Sequence, residues 1–458
     1  MERVADKNIL GFWPIPELLK MFAWPAIISM LASSLYNIID QIFIGHAVGY
    51  LGIAATTIAF PLVTIVMSMG SLVGVGGSAF AAIKLGEGKF KEAQQILNTV
   101  AVISFVVSMI LVVLGNIFLE PMLTVFGATE ATMPYSKQFG GVMVCIIPLT
   151  THLIAMSNMA RTDGSPRLAM RALVGGVLIN AVLAPIFIFS FHWQVLGAAL
   201  ATACAQIFSC AVFVWYFTQR SKMRLNKEDL LHPNFALLKR AIAIGASSCL
   251  VQLSATVLQV VMNNSLLYYG NLSSVGGDAA IGAMGIVMKV NMVFISICIG
   301  IGIGAQPIIG FNRGAQQYDR VLATYKLAVK CAIAITCFGW FCCMAFPGLI
   351  LQLFGSGSAP GFLGFATDCM RWFLGGVFTA GFQIISTSYF QATGQPLKAS
   401  ILSLMRQFVL LIPLMLLLPL HFGLYGIIYA GLVADLVAAT VVFFFIRKEM
   451  TRLHALIA

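Results

Sequence analysis

Apolar residues gather into successive stretches of about 20–28, separated by short polar breaks, and a helix needs about 20 residues to cross a hydrocarbon core. The pattern predicts twelve transmembrane helices, at 22–46, 52–83, 94–118, 134–159, 168–190, 195–218, 238–268, 279–309, 322–351, 365–390, 398–420 and 423–446. Stretches this long and continuous predict helices rather than barrel strands, which alternate over about ten residues.

Composition agrees. Hydrophobic residues make up 60% of the 458 and charged residues 9%, and mean hydropathy is +0.94. A water-soluble domain would not keep that balance in solution. The net charge of +11 invites a nucleic-acid reading, but the positions of the basic residues refute it. Of the 27 Lys and Arg, 24 fall on one side, in or near alternate polar breaks, from Arg3, Lys7 and Lys20 through Lys84, Arg161 and Arg220 to Arg313, Lys398, Arg406 and Arg452. Only Lys137 and Arg371 fall on the other side, and Lys289 is inside a span. The positive-inside rule then places both termini in the cytoplasm. No cleaved signal peptide is expected, and all ten cysteines, lying in spans without a metal-ligand spacing, read as small buried hydrophobes.

The longest cytoplasmic break, Arg220 to Phe235, stands near the midpoint and divides the chain into an N-lobe (1–219), a linker (220–235) and a C-lobe (236–458). The halves match in order. Glu17 to Lys20 falls on Ala236 to Lys239, and Gly74, Gly76 and Gly88 fall on Gly300, Gly302 and Gly314. Asp163-Gly164-Ser165-Pro166 falls on Thr393-Gly394-Gln395-Pro396, and Gly197 on Gly426. Six spans per half make these parallel repeats with a cavity between two bundles. The small residues of the second span in each half let helix backbones approach closely. They precede no Lys-Ser/Thr phosphate loop, so no nucleotide site is expected.

Ionisable groups at membrane depth are costly and mark function. Asp40 lies past the midplane of the first span, with Tyr36 and Asn37 one turn before it on the same helical face. Desolvation opposes the charge of such an acid, which suits a group that exchanges a proton or binds Na⁺. Asp435 lies mid-span in the twelfth helix, opposite Gln206 of the first half, and Lys289 in the eighth helix is a possible partner for it. Further polar candidates for the cavity are Asn158, Gln252, Gln259, Asn263 and Gln306, with Asn180 and Thr202 beside them. Pro25, in the span that carries Asp40, predicts a helix bend.

Several segments resemble the multidrug and toxic compound extrusion (MATE) transporters, over essentially the whole chain. These are Gly304-Ala305-Gln306-Pro307-Ile308-Ile309-Gly310-Phe311-Asn312-Arg313-Gly314-Ala315, similar to the helix 8 signature of the DinF and MepA-type subgroup, Tyr36-Asn37-Ile38-Ile39-Asp40, Tyr389 to Gly394, and Ala434-Asp435. The resemblance implies an all-α integral membrane fold, with two six-helix lobes forming a V around a central cavity. It also implies export of bulky, often cationic compounds in exchange for H⁺ or Na⁺. On the same footing Asp40, Asn180 and Thr202 match the N-lobe cation site, and Pro25 matches the helix 1 bend. The family's helix 5 segment usually ends in Asp-Pro, whereas here Ala184 precedes Pro185, so a second acid is missing.

The expectation is an alternating-access antiporter in the plasma membrane (the inner membrane of a Gram-negative cell), monomeric, with no enzymatic activity, cofactor or resident metal. A flippase of lipid-linked precursors is the alternative, although it calls for basic residues deep in the cavity.

Overall fold

The computed structural model describes residues 9–48, 50–126, 128, 130, 132–353 and 362–457. Within its helices, the side chains of 35–42, 45–46, 48, 50–51, 53–54, 57, 278–279, 282, 352–353, 362 and 457 lie outside the description. Among the described residues every regular element is helical. The passes are α1 (Ile15–Val48), α2 (Tyr50–Gly86), α3 (Phe90–Val125), α4 (Met133–Cys145 and Ile147–Thr162), α5 (Pro166–Pro185, with a π turn Ile186–Ser190) and α6 (Gln194–Gln219). The second half supplies α7 (Phe235–Asn271), α8 (Gly277–Gly314), α9 (Tyr318–Ala345), α10 (Phe362–Asp368 to Ala380–Ala392), α11 (Pro396–Leu404 to Ile412–Leu417) and α12 (Leu424–Ile457).

Ten of these are long, apolar helices, and α4 is bent by 50° at its break. The cause is Pro148, which has no N–H to continue the ladder past Val144. α10 is the least regular, passing through a π segment (Cys369–Phe373) and a 3₁₀ segment (Leu374–Thr379). α11 carries a π segment, Met405–Leu411.

The halves meet through α1 and α2 against α7 and α8, and glycine makes the approach possible. A Cβ on Gly76 would strike the carbonyl of Ala241 on α7, and one on Gly304 would lie 2.5 Å from Ala23 Cα on α1. One turn away, Gly245 presses on the Leu72 carbonyl and Gly300 on Ile27. These are one contact made twice, with the small residue exchanged between partners in the second pair. At the basic end of the bundle α2 and α8 cross directly: Gly86 lies against the Phe311 carbonyl and Gly314 against the Ile83 carbonyl. The repeat register of α2 and α8 is therefore slipped by two residues from the sequence match. Gly76 corresponds to Gly304 and Gly86 to Gly314, while Gly88 corresponds to Gln316, both at positive φ (76° and 59°).

The turns at Gly164 and Gly394 do correspond as expected. Both glycines have positive φ (89° and 69°), and a proline begins the next helix in each case. The linker, with its short helix Lys227–Leu231, is tied to α3. Asn98 accepts from the Asn226 amide at 2.9 Å and donates to the Arg224 carbonyl at 3.2 Å, and Thr99 accepts from the Asn234 amide at 3.1 Å.

Candidate functional site

Two polar groupings stand at membrane depth, one in each half. In the first, α5 and α6 are joined by a hydrogen bond from Asn180 Nδ2 to Thr202 Oγ1 at 3.1 Å, with Asn180 almost fully buried. One turn further along lies an apolar cluster of Ile44 from α1, Ala184 from α5 and Ala198 from α6. Because α1 and α5 run one way and α6 the other, stepping back one turn from this cluster arrives together at position 40, Asn180 and Thr202. The backbone thus brings position 40 level with the Asn180–Thr202 pair. The side chains of Tyr36, Asn37 and Asp40 are outside the described residues. Ala184 is completely buried in the apolar cluster, so no acid occupies that place on α5.

The second grouping centres on Asp435 of α12, whose side chain is 3% exposed. Its carboxylate accepts from Arg406 Nε, on the π segment of α11. Its main-chain carbonyl accepts from Gln383 Nε2 at 3.1 Å and Thr379 Oγ1 at 3.5 Å, both on α10. Gly376, in the 3₁₀ segment, allows this approach, since a Cβ there would collide with Asp435. Three helices and two departures from α geometry therefore converge on one acid; π segments inside helices are frequent at functional sites.

This corrects two expectations. Lys289 is exposed on α8, and the partner of Asp435 is Arg406. Arg406 itself does not belong with the basic residues outside the membrane. It stands ten residues into α11, about 15 Å from the basic end at 1.5 Å per residue. Its position inside the predicted span 398–420 was the signal, and proximity to Lys398 masked it.

The remaining candidates are dispersed. Gln206 accepts from Thr150 Oγ1 at 2.8 Å, joining α6 to α4. Asn158 caps its own helix, donating to the Ile154 carbonyl at 2.8 Å and accepting from Arg161 at 3.4 Å. Gln259 donates to Asn263 at 2.9 Å along an exposed face of α7, and Gln252 is half-buried on the same helix. Gln306 is buried on α8 with its Nε2 unpartnered among the described residues. Pro25 is buried inside a helix that stays continuous around it, and the flanking Ala23 and Ile27 are the residues on which Gly304 and Gly300 press.

The family model described as MatE matches residues 25–186 and again residues 248–417, once in each half. The multidrug export protein MepA of Staphylococcus haemolyticus is 26% identical over 94% of this chain and 93% of its own length. MepA of Staphylococcus aureus is 25% identical over 96% and 95%. Among solved structures, the MATE multidrug transporter DinF-BH, solved as a complex, is 31% identical, covers 98% of this chain and 97% of its own, and superposes with a TM-score of 0.88. A MATE family transporter in an outward-facing conformation, 22% identical over 99% of both chains, has the same fold with a TM-score of 0.88. Two repeats of one family model, together covering most of a twelve-helix membrane chain, leave one assignment: this protein belongs to the MATE family of multidrug efflux transporters.

Proposed function

We propose that the protein is a proton-coupled antiporter that exports bulky amphipathic, often cationic compounds from the cytoplasm by alternating access. The observation that carries the reading is the level shared by position 40 and the Asn180–Thr202 pair. The backbone at position 40 stands level with polar residues of α5 and α6, and in this reading protonation of Asp40 from outside alters how α1 packs on those helices. Drug and proton then favour different states, as coupled exchange requires. With Ala184 buried among apolar residues, this corner offers one acid rather than two, which favours H⁺ over Na⁺.

The lobes in this reading are 1–219 and 236–458, and the basic end faces the cytoplasm of a plasma-membrane protein with both termini inside. The tight α2–α8 crossing then lies on the cytoplasmic side, and in this reading it is the seal on that side. The relatives' names, multidrug export protein and multidrug transporter, support the substrate class.

The test is dye movement in proteoliposomes under imposed H⁺ or Na⁺ gradients. An inward H⁺ gradient alone is expected to drive efflux, and Asp40→Asn is expected to abolish it while leaving the thermal unfolding profile close to wild type. Full transport by Asp40→Asn, or movement driven only by Na⁺, overturns the coupling scheme.

A further inference from the structure

The repeat treats one location in opposite ways. In the first half, Gly176 on α5 is the counterpart of Arg406, and a Cβ added to it would meet Ser209 Oγ and, at 3.1 Å, the Ala205 carbonyl, both on α6. Helix lies on helix there, with no room for a ligand. In the second half the same crossing is held apart by a guanidinium, which reaches from the π segment of α11 to Asp435 on α12.

That guanidinium is only partly used. Nε is bonded to the carboxylate, while neither Nη has a hydrogen-bond partner among the described residues, and 24% of the Arg406 side chain is exposed against 3% for Asp435. Arginine carries five donors in a rigid fork. Leaving the outer ones bare in hydrocarbon is costly, so the exposed part must meet water or a polar group. Two parallel N–H groups match the two oxygens of a carboxylate. Asp435 is the wrong group to supply them: it is buried behind Arg406, engaged through one oxygen, and fixed by Gln383 and Gly376. It is a one-point counter-ion at Nε that leaves both Nη groups for a second anion.

We infer that Arg406 is an anion-reading residue of the second half, which selects amphipathic substrates bearing a carboxylate through its two outer guanidinium nitrogens. The inference rests on the reading of the chain as a multidrug exporter. It adds a specificity that the coupling site does not provide: the Asp40 corner offers an acid, whereas this location offers a cation. A lipid phosphate is excluded as the anion by depth, since Arg406 and Asp435 lie in the middle of their helices and headgroups do not.

The experiment compares a rhodamine free acid with its ethyl ester, which differ only in the carboxylate, in proteoliposomes and by fluorescence polarisation with protein in nanodiscs. The readout is the acid-to-ester ratio, so a general loss of folding cancels. In the double variant Arg406→Gln, Asp435→Asn, a neutral hydrogen-bonded pair replaces the ion pair, and the ratio is expected to fall about tenfold, the scale of one lost charge-assisted hydrogen bond. Asp435→Asn alone removes the competing anion, and the ratio is expected to rise. A ratio unmoved in the double variant, or lowered by Asp435→Asn, overturns the inference and makes the pair structural. A wild type that moves the ester and ignores the acid overturns it too, while multidrug export stands. Arg406-dependent binding of the acid without transport of either dye overturns the export reading and supports the site.

Discussion

The α5–α6 crossing in the first half and the α11–α12 crossing in the second have the same ancestry in the repeat and opposite physics. The first is held by close approach, Gly176 against Ser209, whose hydroxyl donates to the Ala172 carbonyl on α5 at 2.8 Å, and a neutral bond from Thr150 on α4 to Gln206 braces α6 from behind. The second is held by charge: Arg406 against Asp435, which stands in the place of Gln206. Packing of small residues is a general source of cohesion between helices in lipid, whereas a buried ion pair stabilises little over an apolar substitute and is costly to break. A half that retains the pair therefore retains it for something other than cohesion.

Three substitutions probe that contrast. The largest effect is expected from Arg406→Met, which leaves the buried Asp435 without its partner; about 3 kcal/mol should be lost, measured as a fall in unfolding temperature in detergent. Gly176→Ala should cost about 2 kcal/mol, because the new methyl displaces Ser209 from the carbonyl of Ala172, to which it donates at 2.8 Å. The smallest is Thr150→Val, a loss of about 1 kcal/mol from one neutral hydrogen bond. If Arg406→Met proves milder than Gly176→Ala, the charged crossing is less dependent on its pair than the comparison requires.

Much of this fold is legible along the chain, because lipid demands long apolar helices and the chain has little else. The exceptions are instructive. The irregular passage of α10 lies inside a predicted span, and hydropathy does not distinguish a 3₁₀ or π turn from an α turn. The pairing of Asp435 depends on which helix stands beside α12. Along the chain Lys289 is the partner on offer and Arg406 reads as a cytoplasmic basic residue; only the placement of α11 against α12 brings Arg406 to Asp435. Asn180 and Thr202 were identifiable as polar residues in apolar spans, but their meeting depends on the antiparallel run of α5 and α6. The glycines of α2 and α8 showed a repeat, yet its register emerged only from which carbonyl each one faces.

The crossing of Gly86 and Gly314 has a consequence for how the transporter is set between its states. At the contact itself a glycine faces a carbonyl from each side, so the two helices touch backbone to backbone. If this crossing is the cytoplasmic seal of the proposed cycle, it parts by separation of the two helices as rods, and its strength is a weight on the closed side of a two-state balance. A methyl group at either glycine would lighten that weight without altering any binding chemistry. On the alternating-access reading proposed above, graded substitutions at positions 86 and 314 would form a dial for the resting population of inward-open and outward-open molecules.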